Sequence, residues 1–168
     1  ANNGLAGAGT QTAALGFGSR TSGQEQASYE YDGSSWTAGG SLGTPIGNGG
    51  GAGTQTAGLS FGGGPSGSAT ADSRTYDGST WTATPSMNVS RSLHAGTGTQ
   101  TSAIAAGGSN SPPTGNSSEE WNGSAWKGGG TLSEASRYSI GAAGTVPSTV
   151  IFGAGPPTSL YNLAEEYN

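Results

Sequence analysis

The side chains that could support catalysis are few, and they do not form a recognisable catalytic motif. His94 follows Ser90 and Ser92 in the chain. Serine and histidine are the residue types of a catalytic nucleophile and its base. No nucleophile elbow surrounds them, and no positioned acid is identifiable. The chain has a single histidine and no cysteine, so a multi-histidine or thiolate metal site is excluded. We expect His94 to be packed, or to line an axial channel.

The carboxylates are equally poor candidates for acid–base chemistry. Two adjacent pairs occur, at 119–120 and 165–166. Consecutive strand residues face opposite sides of a sheet, so neither pair can act on one substrate atom. We expect these glutamates to lie on solvated strand faces. Asp32 and Asp77 each precede a glycine, where an aspartate stabilises a turn through its own side chain, and we expect a turn rather than a cation site.

The aromatic residues could bind sugars, because their faces suit the C–H surfaces of a pyranose. Trp36, Trp81 and Trp126 recur at intervals of 45 residues, and we expect them to pack between repeated units. Trp121 replaces a tyrosine of the repeat, and packing is the expectation for it too. Trp121 and Tyr161 are nevertheless the two residues that we single out for ligand contact.

Composition narrows the classes of partner and cofactor. Five basic residues against ten acidic ones, with no basic cluster, argue against nucleic-acid binding. No run of about 18 apolar residues is present, so we expect no membrane span. The glycine-rich runs lack the Gly-Lys-Ser/Thr of a phosphate loop. We therefore expect no cofactor and no enzymatic activity from the chain itself.

An internal repeat organises the chain. "YDGSSWT" at 31–37 returns as "YDGSTWT" at 76–82 and as "WNGSAWK" at 121–127. A second landmark, "GTQTAALGFGS", begins at residue 9 and recurs three times in increasingly divergent form. Its shared threonines are Thr10, Thr54, Thr99 and Thr145. Two landmarks with one period indicate duplication, with approximate units 1–43, 44–88, 89–133 and 134–168 of a single domain.

Each unit predicts four short strands. The second strand is the most apolar, and the third shows alternation, with Tyr29 and Tyr31 on one face and Glu30 on the other. Asp-Gly or Asn-Gly then reverses the chain, because this turn needs a positive φ. The turn glycines are Gly33, Gly78 and Gly123. Four strands in about 45 residues, repeated radially, predict an all-β propeller of four blades, with a linear β-solenoid as the alternative.

At these positions the chain resembles the kelch family of β-propellers. In that family a di-glycine ends the second strand, a tyrosine lies in the third and a tryptophan begins the fourth. The matching residues are Gly62–Gly63 and Gly107–Gly108, with Gly18 and Gly153 as degenerate versions, then Tyr31, Tyr76 and Tyr167, and Trp36, Trp81 and Trp126. The hairpin is tighter than in kelch repeats, and the basic residue before the first strand remains only as Arg91 and Arg137.

The wording of the repeat also resembles tracts in marine phage proteins associated with tail fibres and other appendages. This resemblance implies a non-enzymatic structural or adhesive module, extracellular or on a virion surface, that presents polar loops for binding. The last unit lacks a fourth strand, and three explanations are open. The sequence is a fragment of a longer tract, another copy completes the ring or covers its edge, or the fourth blade is three-stranded in a small ring. We favour a larger or multi-copy assembly with a homo-oligomeric partner. A lectin-like propeller that binds a cell-surface glycan is one alternative, and a non-catalytic part of a larger secreted enzyme is another.

Overall fold

The computed structural model of the chain describes residues 4–21, 26–65, 68–109, 115–133, 140–153 and 164–168. These residues form four small antiparallel sheets, each built from consecutive strands. The first contains β1 (Ala6–Thr10), β2 (Ala13–Phe17), β3 (Ser28–Tyr31) and β4 (Trp36–Ala38). The second contains β5 (Gly50–Gly53), β6 (Gly58–Phe61), β7 (Ser73–Tyr76) and β8 (Trp81–Thr84).

The third sheet contains β9 (Ala95–Gly98), β10 (Ala103–Ala106), β11 (Ser117–Trp121) and β12 (Trp126–Thr131). The fourth contains β13 (Ile140–Thr145), β14 (Ser148–Gly153) and β15 (Ala164–Tyr167), and its described part has no fourth strand. The sheets are arranged as the blades of a four-blade β-propeller, so the predicted fold class is confirmed. None of the described residues forms a helix long and apolar enough to cross a membrane.

The innermost strands hold the blades together. β1 packs beside β5, β5 beside β9, and β9 beside β13. Within the described residues, β13 makes no comparable contact with β1, so the two end blades do not form a fourth interface of this kind. Each interface between two successive blades is called a seam below, and the described residues form three of them.

The strand order within a blade follows from the apolar pattern. The second strand of each blade pairs with both the first and the third, and therefore has neighbours on both edges. In β6 all four residues are buried, whereas the outer strand β4 is exposed throughout. The apolar strands are thus the ones that burial between blades stabilises most.

The described residues form three clusters of the hydrophobic core, one at each seam. The first cluster contains Leu15, Phe17, Leu42, Ile46 and Tyr76. The second contains Ala52, Leu59, Phe61, Met87, Ala103, Ala105, Trp121 and Trp126. The third contains Ala95, Ile104, Ala106, Leu132, Ile140 and Ile151. A single blade is too thin to bury both of its faces, so the core exists only between neighbours.

Candidate interaction surfaces

The hairpins between third and fourth strands form one regular surface, which we call the turn face. In the first turn, Oδ1 of Asp32 accepts hydrogen bonds from the backbone N–H groups of Ser34 and Ser35, both at 2.8 Å. Asp77 and Asn122 accept the same two backbone bonds in the next two blades. The three turns are therefore near copies of one another.

These bonds show what the turn carboxylates do. Hydrogen bonds, first from the Ser35 backbone and then from Ser34, lower the pKa of Asp32 to about 2. The backbone and side-chain donors of Thr80, followed by those of Ser79, hold the pKa of Asp77 far below its usual range. Donors within the turn occupy both carboxylates, which supports the expectation of a structural role.

A glycine with positive φ completes each of these turns. Gly33 and Gly78 have φ of 95°, and Gly123 has φ of 92°. A residue with a Cβ is strained in this region of φ, which is why the sequence places glycine after the aspartate or asparagine.

Glutamine side chains join the turns of neighbouring blades. Nε2 of Gln55, in the second blade, donates to the Tyr31 carbonyl of the first blade at 2.7 Å. Nε2 of Gln100 donates to the Tyr76 carbonyl in the same way, also at 2.7 Å. The turn face is thus braced across the first two seams, which makes it a rigid surface.

Tyrosine hydroxyls bridge two of the seams. The Tyr76 hydroxyl donates to the Glu30 carboxylate of the preceding blade and accepts from the Gly40 N–H. The Tyr167 hydroxyl donates to Glu120 of the preceding blade at 2.6 Å. Burial, reinforced by the hydrogen bond to glutamate, raises the pKa of both tyrosines. They therefore stay protonated and serve as structural donors.

The expectation that Glu119 lies on a solvated strand face is wrong. Its side chain is buried and pairs with the fully buried Arg91, with 3.0 Å between Nη2 and Oε1. Glu119 also accepts hydrogen bonds from the N–H groups of Asn88 and Val89. Arg91 in turn donates to the Gly107 carbonyl at 2.8 Å. A buried charge needs a partner of opposite charge and hydrogen bonds, and both are provided here. The pair therefore joins the connection between the second and third blades to the third blade.

His94 is buried, and its ring lies 5.6 Å from the Phe61 ring. Burial, together with the positive charge of Arg91, lowers the pKa of His94 to about 3, and the Phe61 backbone opposes this shift without outweighing it. Neither ring nitrogen makes a well-formed hydrogen bond within the described residues. Ser92 is buried and Ser90 exposed, and neither forms a hydrogen bond with the imidazole. The structure does not assemble a nucleophile with its base here.

The repeated tryptophans have three different environments. Trp126 is buried, and its indole N–H donates to Ser73 of the preceding blade at 3.0 Å. Trp81 is half-buried and donates to Ser28 at 3.3 Å. Trp36, in the first blade, packs on no preceding blade within the described residues and is 56% exposed.

The two ligand-binding candidates are not brought together. Trp121 is 2% exposed, and its indole N–H donates to the Gln100 carbonyl at 2.9 Å. Its ring is therefore an interior packing element that offers no accessible face. Tyr161 lies outside the described residues.

The exposed side of the first blade, which we call the leading face, contains Leu5, Gly7, Tyr31 and Trp36. A cavity of about 300 Å³ lies on it, lined by Leu5, Gly16, Tyr29 and Trp36. The rings of Tyr31 and Trp36 lie against each other, with centroids 5.1 Å apart. Among the described residues that line this cavity, none has a carboxylate or amide side chain, so they do not supply the polar groups that orient a sugar.

The exposed side of the fourth blade, which we call the trailing face, contains Val150, Phe152 and Glu166. Val150 is 40% exposed and Phe152 is 44% exposed. A second cavity of about 300 Å³ lies there, lined by Ser148, Thr149, Val150, Glu166 and Asn168. Exposed side chains of this size on both end blades are candidates for an interaction surface.

No protein-family model matches the chain, and no curated protein is similar enough to count as a relative. The kelch likeness therefore stays a prediction from the repeat itself. Sequence reasoning missed the Arg91–Glu119 pair and the two end faces. Arg91, just before the first strand of the third unit, was the sequence signal for the ion pair. The end faces left no signal, since their residues have the same types as their buried equivalents.

Proposed function

We propose that the chain is a non-enzymatic structural or adhesive module, of the kelch-like type, in an extracellular or virion appendage. It works in several copies and presents repeated polar turns and loops for surface binding. The observation that carries this proposal is the turn face, where three blades display the same hydrogen-bonded hairpin. A rigid scaffold with repeated, similar contacts suits weak binding that multivalency strengthens.

The state of the reactive side chains supports a structural role. His94 is enclosed, Glu119 neutralises Arg91, and Asp32 and Asp77 are occupied within their own turns. Glu119, Arg91, Asp32 and Asp77 form bonds that stabilise the fold, and His94 is packed in the interior. The variable loops between second and third strands are the proposed site of recognition, and they lie in part outside the described residues.

The experiment compares monovalent and tetravalent forms of the chain. The chain is biotinylated at one terminus, loaded on streptavidin and applied to an array of bacterial surface polysaccharides. We expect binding only from the tetravalent form, and a loss of binding when residues 110–114 are replaced by glycine and serine. A matched control replaces the exposed Thr82 by alanine in the outer strand of the second blade, away from the turn face and from those loops. Tetravalent protein that binds no surface on the array would remove the adhesive role.

A lectin-like function is the second candidate, because Trp36 is exposed beside a cavity. The two candidates differ in valency. A lectin pocket predicts that the monovalent chain binds a free oligosaccharide, and that Trp36→Ala abolishes this binding. Surface binding that survives Trp36→Ala and needs the tetravalent form supports the adhesive module instead.

A further inference from the structure

The two end faces are the unpaired halves of a seam that the chain builds three times. The names leading face and trailing face also apply to the corresponding sides of the other blades. At each seam, the trailing face of one blade packs on the leading face of the next. The leading face of the first blade and the trailing face of the fourth have no such neighbour within the described residues. Their residues can therefore be compared, position by position, with those that already pack.

Side-chain size is matched across every seam. A Cβ on Gly51 would lie 2.8 Å from Cζ of Phe17, and a Cβ on Gly96 would lie 2.6 Å from Cζ of Phe61. Phenylalanine on the trailing face thus requires glycine on the leading face, because contacts this short leave no room for a methyl group.

The third seam does not have the phenylalanine-and-glycine pair, and both of its positions differ. Ala106 replaces the phenylalanine, and Ala142 replaces the glycine, within one cluster. At the unpaired ends the residues are Phe152 and Gly7, which is again the large-and-small combination. The only atom close to a Cβ on Gly7 is the Leu15 carbonyl oxygen of its own blade, at 3.3 Å.

Aromatic contacts repeat the same relationship. Phe17 packs on Trp81 with ring centroids 4.9 Å apart, and Phe61 packs on Trp126 at 5.0 Å. The equivalent side chains at the ends are Phe152 and Trp36, two of the large apolar side chains left exposed.

Hydrogen-bonding groups are matched as well. Where a blade has glutamate in its third strand, as at Glu30 and Glu120, the next blade supplies a tyrosine hydroxyl. Where Thr75 takes that position, the next blade has Trp121 instead. The unpaired ends carry Glu166 and Tyr31, which is again the glutamate-and-tyrosine combination.

A glutamine completes the set. Gln55 and Gln100 reach back to the carbonyl of the preceding blade's tyrosine. Gln11 holds this position in the first blade, is exposed, and makes no hydrogen bond with another blade in the described part of the chain. One element is missing, because Ala164 stands where Ser28 and Ser73 accept the indole N–H.

We propose that the trailing face of one copy docks on the leading face of a second copy of this chain. Phe152 then packs over Gly7 and against Trp36, Glu166 accepts from the Tyr31 hydroxyl, and Gln11 donates to the Tyr167 carbonyl. The contact is heterologous, so it produces a closed ring if the rotation closes and a filament if it does not. This inference rests on the multi-copy part of the proposed function and not on surface binding.

The test uses complementary blocked faces. Trp36→Asp blocks the leading face alone, and Phe152→Asp blocks the trailing face alone. Sedimentation equilibrium should show that each change weakens self-association of the purified chain at least about 30-fold, as expected for a buried aromatic anchor. Ala83→Asp, at an exposed position in the outer strand of the second blade, should leave association unchanged.

Mixing the two blocked variants provides the decisive measurement. Each keeps one intact face, so an equimolar mixture should form a one-to-one heterodimer and nothing larger. Gly7→Val is a second variant that blocks the leading face, and it keeps Trp36. It should lose self-association, and it should pair with Phe152→Asp as Trp36→Asp does. Circular dichroism establishes that every variant is folded.

Three results would overturn the inference. The wild-type chain could remain monomeric at every concentration. If it does so because its own two end faces pack together, Trp36 in the monomer would be protected from fluorescence quenchers in the solvent. Wild-type association could survive both substitutions, or the mixed variants could fail to pair. A monomer that still binds polysaccharide in tetravalent form would overturn this inference and leave the adhesive function standing.

Discussion

Nη2 of Arg91, in the connection that enters the third blade, lies 3.0 Å from Oε1 of Glu119 in the middle strand pair of that blade. Both side chains are buried. The pair therefore joins a connecting segment to a sheet through charges that water does not reach. The change in the free energy of unfolding when this ion pair is broken measures how much the connection between the two blades contributes to stability.

Glu119→Gln should lower the free energy of unfolding by about 3–5 kcal/mol, because it leaves the Arg91 charge buried without a counter-ion. Chemical denaturation followed by tryptophan fluorescence measures this change. Arg74→Met is the matched control, since Arg74 is only half-buried and its Nε donates one hydrogen bond, to Thr44. The control should cost less than about 1.5 kcal/mol. Equal losses from the two substitutions would contradict the assignment.

His94 should make the fold sensitive to acid. Its pKa is about 3 in the folded chain, against an ordinary value of 6.5, so the unfolded chain binds the proton more readily. The stability that this difference contributes is fully present above pH 6.5 and is lost as the pH falls towards 3. The loss approaches about 1.4 kcal/mol for each pH unit.

Thermal unfolding between pH 7 and pH 4 tests this dependence. His94→Leu removes the titrating group and keeps a side chain of similar size, so its melting temperature should fall less steeply with acid. An identical pH profile for the variant and the wild-type chain would assign the acid sensitivity to other groups.

Equivalent tryptophans should differ greatly in their contribution to stability. Trp126→Ala should cost about 3–5 kcal/mol, because it empties a buried site beside Phe61 and leaves Ser73 without its donor. Trp36→Ala should cost less than about 1 kcal/mol, since Trp36 is largely exposed. Urea denaturation of dilute protein makes the comparison. A large loss from Trp36→Ala under these conditions would show that the leading face is covered within the chain itself.

The tyrosines of the repeat offer a matched pair. Tyr76→Phe removes the bond to Glu30 and should lower the free energy of unfolding by about 1–2 kcal/mol. Tyr31→Phe also removes a tyrosine hydroxyl, but this hydroxyl has no partner in the described part of the chain. The substitution should therefore leave the free energy of unfolding of the dilute chain almost unchanged. Denaturation curves for both variants, measured side by side, decide the matter. The prediction fails if the two substitutions cost the same.

Much of the fold is determined locally. The period of the repeat, the apolar second strand and the Asp-Gly or Asn-Gly hairpin predict four strands per unit. The first three blades confirm this, and the described part of the fourth blade has three strands. Hairpin turns depend on the φ preference of a single glycine and on an adjacent side-chain acceptor. Such features involve residues close together in the chain, which is why the sequence alone was sufficient.

The fate of the repeated side chains depended on tertiary structure. Trp36 and Trp126 occupy the same position in their units, yet Trp36 is exposed and Trp126 is buried. The reason is that, in the described part of the chain, only Trp126 packs on a preceding blade. Glu119 was expected in solvent and is instead buried with Arg91, since that pairing is created where a connection crosses its own blade. The sequence by itself determined the unit and its period. The stacking of the units decided which copies of each side chain form the core and which remain at the ends, because burial is a property of neighbours in space.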